Sequence, residues 1–202
     1  MPRTNRVTPA GAIVAVADRG TFLGNRGVLH DSEGRIKRPW RVRRWIVCEL
    51  EFRGRRRAIM TPDRYTELFF LDEATALAAG HRPCFECRRA RFQAFLEAWP
   101  HAIEGPSRAD AVDAVLHAER VGPNRSKRTH EAGLDDLPDG AFILQDDVPR
   151  LVLGGFLLAW TPGGYGKRTP RPRGGRAALL TPPSTVAAIR AGYEPVIHPS
   201  AR

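Results

Sequence analysis

An α/β fold of the α+β kind is predicted, with two small related strand–strand–helix modules, short mixed or antiparallel sheets, and helices joining them. Three features of the sequence point to it. Short apolar segments alternate with period two, as half-buried strands do. Short Ala-rich segments carry helix start and stop residues. One pattern (apolar strand, cap residue, Ala-rich helix, Gly, aromatic, Pro) occurs twice, at residues 68–83 and 178–195.

Taken in order, residues 12–17 read as a short strand, and residues 19–24 follow between turn signals. Residues 45–52 put Cys48, Leu50 and Phe52 on one face and Glu49, Glu51 and Arg53 on the other. That alternation predicts a half-buried strand with Cys48 facing inward. Arg53-Gly54-Arg55 predicts a hairpin turn, with a return strand over 57–60. Residues 65–71 form the next strand. Asp72 stands at an N-cap position before a helix over 73–79, with Gly80 as its C′ residue and Pro83 as a stop. Cys84-Phe85-Glu86-Cys87 is expected to open a longer helix, with Phe85, Phe92, Phe95, Leu96 and Trp99 at helical spacing and Pro100 ending it. A further helix spans 108–120, where Ser107-x-x-Asp110 is similar to a capping box. Residues 122–128 form a basic loop, 141–160 contain strand-like segments, and 161–176 hold five Gly, three Pro and five basic residues. Such a stretch predicts a long loop or flexible arm.

The repeat extends loosely upstream: Gly20-Thr21-Phe22-Leu23 parallels Gly140-Ala141-Phe142-Ile143, and the Trp45 strand parallels residues 156–160. The expected organisation is a CxxC metal-binding module over 10–100, a helical connector with a basic loop over 101–137, and a related cysteine-free module with a basic Gly/Pro arm over 138–202. Strand–cap–helix–Gly is also ordinary punctuation in any α/β protein, and both readings stand at this point.

Composition bounds the class. The chain has 202 residues, 42% hydrophobic and 27% charged, which is a globular balance. No apolar run approaches the roughly 18 residues of a membrane span, so a soluble protein without a membrane partner is expected. Residues 10–17, after Arg3 and Arg6, only faintly match a signal peptide. Three cysteines argue against a disulfide scaffold and for a reducing, cytoplasmic setting. The net charge of +10 comes from 29 arginines and only three lysines. Arginine suits phosphate, but an Arg/Ala/Gly/Pro bias is also what a GC-rich genome produces, so only local clustering is informative.

Cys84-x-x-Cys87 is the sharpest motif. Two thiolates at this spacing can share one tetrahedral Zn²⁺. Cys48 is a third ligand or a buried small hydrophobe. His81 and His30 are weaker candidates, and no spacing supports His101, His117, His130 or His198. Residues 69–88, with the core Ala79-Gly80-His81-Arg82-Pro83-Cys84-Phe85-Glu86-Cys87, resemble the metal-binding module of Ada-type DNA-repair proteins. The resemblance implies a small α/β domain that sits on the DNA backbone and holds zinc through four cysteines, one of which accepts a methyl group from a phosphotriester. This chain departs from that pattern: the family's upstream Cys-x-x-x-Cys is replaced by Cys48 alone.

Ten basic residues against two acidic ones fall within 35–57, interleaved with Trp40 and Trp45. Arginines with aromatic rings are the composition of a nucleic-acid surface, or of a solvated hairpin paired with Glu49 and Glu51. The candidate nucleic-acid residues are Arg38, Arg41, Arg43, Arg44, Trp45, Arg55, Arg56, Arg57, Arg82, Arg88 and Arg89, with DNA favoured over RNA. Gly163-Gly164-Tyr165-Gly166-Lys167 lacks the phosphate-loop spacing. Three functions compete. The first is a zinc-stabilised nucleic-acid-binding protein without catalysis of its own. The second is a zinc-thiolate alkyl acceptor or another repair enzyme; a nuclease built from His117, His130, Asp135 and Asp136 has no supporting spacing, and His117 is expected to pair with Asp113. The third is a protein-interaction module with incidental charge.

Overall fold

The computed structural model describes residues 1–54, 58–101 and 108–202. It is an α+β fold with two six-stranded sheets. In chain order, the first sheet's strands are β1 (Thr4–Val7), β2 (Ile13–Ala15), β3 (Phe22–Asn25), β4 (Ile46–Cys48) and β5 (Leu68–Phe70), followed by helix α1 (Glu73–Ala78), strand β6 (Arg82–Pro83) and helix α2 (Arg89–Glu97). Helix α3 (Arg108–Arg120) leads to β7 (His130–Gly133), β8 (Phe142–Gln145), β9 (Val148–Leu153), β10 (Phe156–Thr161), β11 (Gly164–Pro170) and β12 (Arg176–Leu179), and then to α4 (Pro183–Arg190). The first sheet, ordered β2-β1-β5-β3-β4-β6, is mixed, with β1 parallel to β5 and β4 parallel to β6. The second, ordered β11-β10-β9-β8-β12-β7, is antiparallel throughout. No helix among the described residues is long and apolar enough to cross a membrane.

Helix α1 is short because its sequence is built for burial rather than length. All six of its residues are buried, and Ala74, Ala76, Ala78 and the following Ala79 let neighbours approach on every side. Ala74 and Ala78 join Phe142, Leu151, Leu158 and Trp160 of the second sheet. Ala76 and Ala79 join Val7, Phe22, Val47 and Phe70 of the first. Leu77 packs with Phe95 of α2, Val112 and Leu116 of α3, and Ala188 and Ile189 of α4. A helix apolar on all faces is stable only in such a setting.

The ends of α1 follow their expected chemistry. Asp72 caps the N-terminus, its Oδ1 accepting from Thr75 N at 2.8 Å. At the other end, His81 N donates to Ala76 O and Gly80 N to Leu77 O, with Gly80 at φ +96°. Helix α4 ends in the same way: Tyr193 N donates to Ala188 O and Gly192 N to Ile189 O, with Gly192 at φ +105°. This is the Schellman arrangement, which places glycine in left-handed backbone. Gly80 has a second constraint, since a Cβ there would stand 2.5 Å from Cδ of Arg120.

Other expectations give way. Residues 161–176 are no free arm: β11 pairs with β10 from Phe156↔Pro170 to Thr161↔Gly164. Its glycines and prolines mask the alternation, and Tyr165 is anchored through a 2.7 Å bond from its hydroxyl to Asp72 Oδ2. The strand expected over 45–52 stops at Cys48, and its inner face is the opposite one, with Trp45 and Val47 buried and Leu50 46% exposed. Arg55–Arg57 of the expected hairpin and Ser107 of the expected cap lie outside the described residues, and residues 58–60 form no strand. The CxxC segment precedes α2 as a turn instead of opening it, leaving Phe85 54% exposed. Strand β1 begins before residue 10, and β7, from the expected connector, pairs with β12.

Glu73, with no solvent exposure, joins these layers. It accepts from Arg88 Nη1 at 2.8 Å, Arg91 Nη2 at 2.9 Å, Tyr193 Oη at 2.5 Å and Val196 N at 3.0 Å. Removing one partner of a buried ion pair costs about 3–5 kcal/mol. Glu73→Ala is therefore expected to lower the urea midpoint by that much stability, while Glu131→Ala, at the exposed Arg176 pair, leaves it nearly unchanged.

Candidate metal centre

The parallel pairing of β4 with β6 brings the three cysteines together. Its register sets Ile46 opposite Arg82 and Val47 opposite Pro83. Arg82 N donates to Trp45 O at 3.1 Å and Cys84 N to Val47 O at 2.9 Å, which sets Cys48, the last residue of β4, beside Cys84, the residue after β6. The CxxC turn closes through Arg88 N to Cys84 O at 3.2 Å and returns Cys87 to the same corner. The sulfurs of Cys48, Cys84 and Cys87 all lie within 4.8 Å of one another and could hold a metal ion.

The surroundings suit thiolate. Cys84 Sγ accepts from the Glu86 amide at 3.4 Å. Its ionisation is held far below the ordinary thiol value by hydrogen bonds from Cys48 and Cys87, against the cost of burial, with the Cys87 and Glu86 amides adding to the effect. Cys48 is pushed up by those same bonds to Cys84 and Cys87 and by burial. Cys87 is raised too: its bond with Cys48 favours the thiolate, but Cys84 and burial outweigh it, and the Glu49 amide helps it ionise. The three sulfurs thus compete for charge among themselves, and a cation bound between them would favour ionisation of all three.

Arg88 fixes the corner from behind. Its Nε donates to Glu49 Oε1 at 2.8 Å, next to Cys48, and its Nη1 reaches Glu73. Its guanidinium also lies 4.5 Å from the Phe22 ring centroid. On the outer side the three cysteines line an open groove of about 670 Å³, walled by Leu23, Ile46, Tyr65 and Phe69.

No histidine completes the ligand set among the described residues. His30 bonds Thr66 Oγ1 at 2.6 Å and Thr61 O at 3.2 Å. His81 is fully buried and accepts from Arg26 Nε at 3.2 Å. His101 bonds Ser184, His130 bonds Glu119 O, and His198 bonds Ser200. His117 does not pair with Asp113, whose two oxygens accept from Arg82 at 3.2 and 2.7 Å; it packs edge-on against Trp40 instead.

The arginines expected on a nucleic-acid surface divide into two groups. Trp45, Arg82 and Arg88 are buried and committed to partners inside the fold, which removes them from any outer surface. Arg38, Arg41, Arg43, Arg44 and Arg89 are exposed, while Arg55, Arg56 and Arg57 lie outside the described residues. The buried roles of Arg82 and Arg88 could not be read from spacing, because their carboxylate partners are 31 residues away for Arg82 and 39 and 15 residues away for Arg88.

Cys48→Ser changes one atom. Perturbing even the outer partners of a metal ligand costs about 10–100-fold in affinity, so at least that loss is expected in a chelator competition, with the fold intact by circular dichroism. Compared with known proteins, the chain matches no family model, no curated protein and no solved structure.

Proposed function

We propose that this chain is a zinc-thiolate protein that binds nucleic acid, DNA ahead of RNA, and that the ion pins the β4–β6–α2 corner beside the exposed arginines. The observation that carries the metal reading is the convergence of Cys48, Cys84 and Cys87 from two separate segments onto one corner. Zinc is the ion whose chemistry fits three thiolates, with tetrahedral coordination at about 2.3 Å per sulfur. The nucleic-acid reading is supported by Arg38, Arg41, Arg43 and Arg44, exposed on one short stretch, and by Arg89, which follows the CxxC turn. It is supported also by the resemblance of residues 69–88 to Ada-type modules.

Purified protein is expected to carry one zinc per chain, released by Cys84→Ser. DNA affinity should fall with salt, since duplex binding loses about 0.9 in log–log slope for each phosphate neutralised. Arg43→Ala/Arg44→Ala should flatten that slope by about 2. Zinc-free protein with three free thiols refutes the metal reading, and a salt slope unchanged in the double variant refutes the surface.

The groove favours a second reading. Three protein ligands with an open side are the pattern of reactive zinc sites rather than structural ones. In an alkyl-acceptor role, one of the three sulfurs would attack the methyl carbon of a phosphotriester; the S–C bond would form as the C–O bond breaks, and the phosphodiester would leave with the electron pair. Exposure to methylated DNA is then expected to add about 14 Da to a single cysteine, a methyl in place of the thiol hydrogen and so a net gain of one CH₂; an unchanged intact mass excludes this role.

A further inference from the structure

At the C-terminal end of α1 lies a cluster of cations with no role in the site described above. Arg26 and Arg120 are each only 1% exposed, and their guanidinium carbons lie 4.2 and 4.1 Å from the Trp45 ring centroid. Lys127 Nζ reaches in from the basic loop to Ala78 O at 2.6 Å. Among the described residues, every hydrogen bond these groups make goes to a neutral acceptor. Arg26 donates to His81 Nε2, Gly11 O and Pro39 O, and Arg120 donates to Gly80 O and Arg43 O. No carboxylate among the described residues forms an ion pair with any of the three. Asp113, on the same helix as Arg120, attracts it electrostatically without pairing with it, since both Asp113 oxygens are engaged by Arg82.

Charges buried in this way are costly unless an opposite charge compensates them. Among the described residues, Arg26 Nη2 and Arg120 Nε of these cations, and Trp40 Nε1 beside them, are buried without a partner. The side chains of Arg26, Arg120 and Lys127 line one small cavity of about 40 Å³, whose walls are Trp40, Trp45 and Ala79 and whose rim includes Pro39, Arg125 and Ser126. One water needs roughly 10–15 Å³ of such volume, so the space suits a compact oxyanion. Arg125 caps the rim with its guanidinium 5.1 Å from the Trp40 ring centroid.

We propose that this cavity is an anion site that takes a phosphate group through Arg26, Arg120 and Lys127. The residues present match that ligand. Two guanidiniums provide planar donors suited to phosphate oxygens, and the lysine adds a point charge. His81 contributes no charge: burial, then Arg26 and Arg120, push its ring well below its ordinary value. Burial, followed by repulsion from the same two arginines, pushes Lys127 down to about 7, as expected of a cation that lacks its counter-ion. The phosphate could be free or the end group of a polynucleotide, and the proposal holds for either source. It is separate from the metal centre, since the residues that line this cavity and those that line the cysteine groove do not overlap.

Thermal unfolding of the full chain in phosphate, sulfate or chloride at matched ionic strength tests the site, with Lys127→Met beside the native protein. A ligand at about a hundred times its Kd stabilises enough to raise Tm by about 5–10 °C in a chain of this size. That rise is expected in phosphate relative to chloride, and Lys127→Met should lose it. A 5′-phosphorylated oligonucleotide that raises Tm more than its 5′-hydroxyl counterpart identifies a polynucleotide end as the source; equal effects of the two, with the phosphate rise present, identify the free ion. No rise with phosphate, sulfate or the phosphorylated oligonucleotide overturns the proposal. A rise that persists in Lys127→Met overturns its location in this cavity.

Discussion

The carboxylate of Glu73, buried without exposure in the first turn of α1, is the contact on which the rest of the structure depends. Its acceptors are filled by groups from α2, from the segment after α4 and from the approach to the C-terminal residues. Asp72, one residue earlier, does the same for the other layer. Its Oδ2 accepts from Tyr165 of β11 and from His198 N at 2.9 Å, while its Oδ1 caps the helix. Two adjacent carboxylates therefore hold α1 between two sheets, and the apolar faces of that helix complete three hydrophobic clusters at once. Because Arg88 and Tyr193 are buried and Arg91 is half-buried, the network rigidifies the centre of the molecule rather than decorating it.

The cysteine corner inherits its rigidity from this arrangement. Arg88 links Glu73 to Glu49 and so ties the helix start to the chain just beyond Cys48. Cys84 follows β6, whose pairing with β4 is in turn backed by Val47 in the first sheet's core. Ligands held by strands and a buried ion pair keep their geometry better than ligands on free loops. The second set of buried cations stands apart from this network. Arg82 and Arg88 have carboxylate partners, whereas Arg26, Arg120 and Lys127 have only carbonyls, an imidazole and an indole face. The excess of arginine thus separates into three populations: paired inside, unpaired inside and exposed.

What could be read from the sequence was local. Asp72, Ala74 to Ala79 and Gly80 announce a capped, tightly packed helix, and the same signals recur at Gly192, where the hydrogen bonds match. The Cys84-x-x-Cys87 pair was legible because both ligands sit on one turn. Cys48 could be named as a third candidate, but its position beside them could not be derived, because it depends on a two-residue parallel strand containing a proline, which leaves no periodicity to detect. The inward face assigned to Cys48, Leu50 and Phe52 failed for a related reason: the strand ends at Cys48, so alternation beyond it describes a surface segment. Arg82, Arg88 and Trp45 resembled binding residues because side-chain type does not reveal a partner distant in the chain. Tyr165 and β11 were hidden by Gly and Pro, whose usual meaning as loop punctuation is overridden here by pairing with β10 and by the Asp72 anchor.

X-ray absorption at the zinc edge of the purified protein tests the central claim most directly, because it counts sulfurs around the ion. The account predicts three sulfurs at about 2.3 Å and one lighter atom at about 2.0 Å, with the sulfur count falling to two in Cys48→Ser. A zinc-free protein, or an ion with only two sulfurs in the native chain, would contradict it.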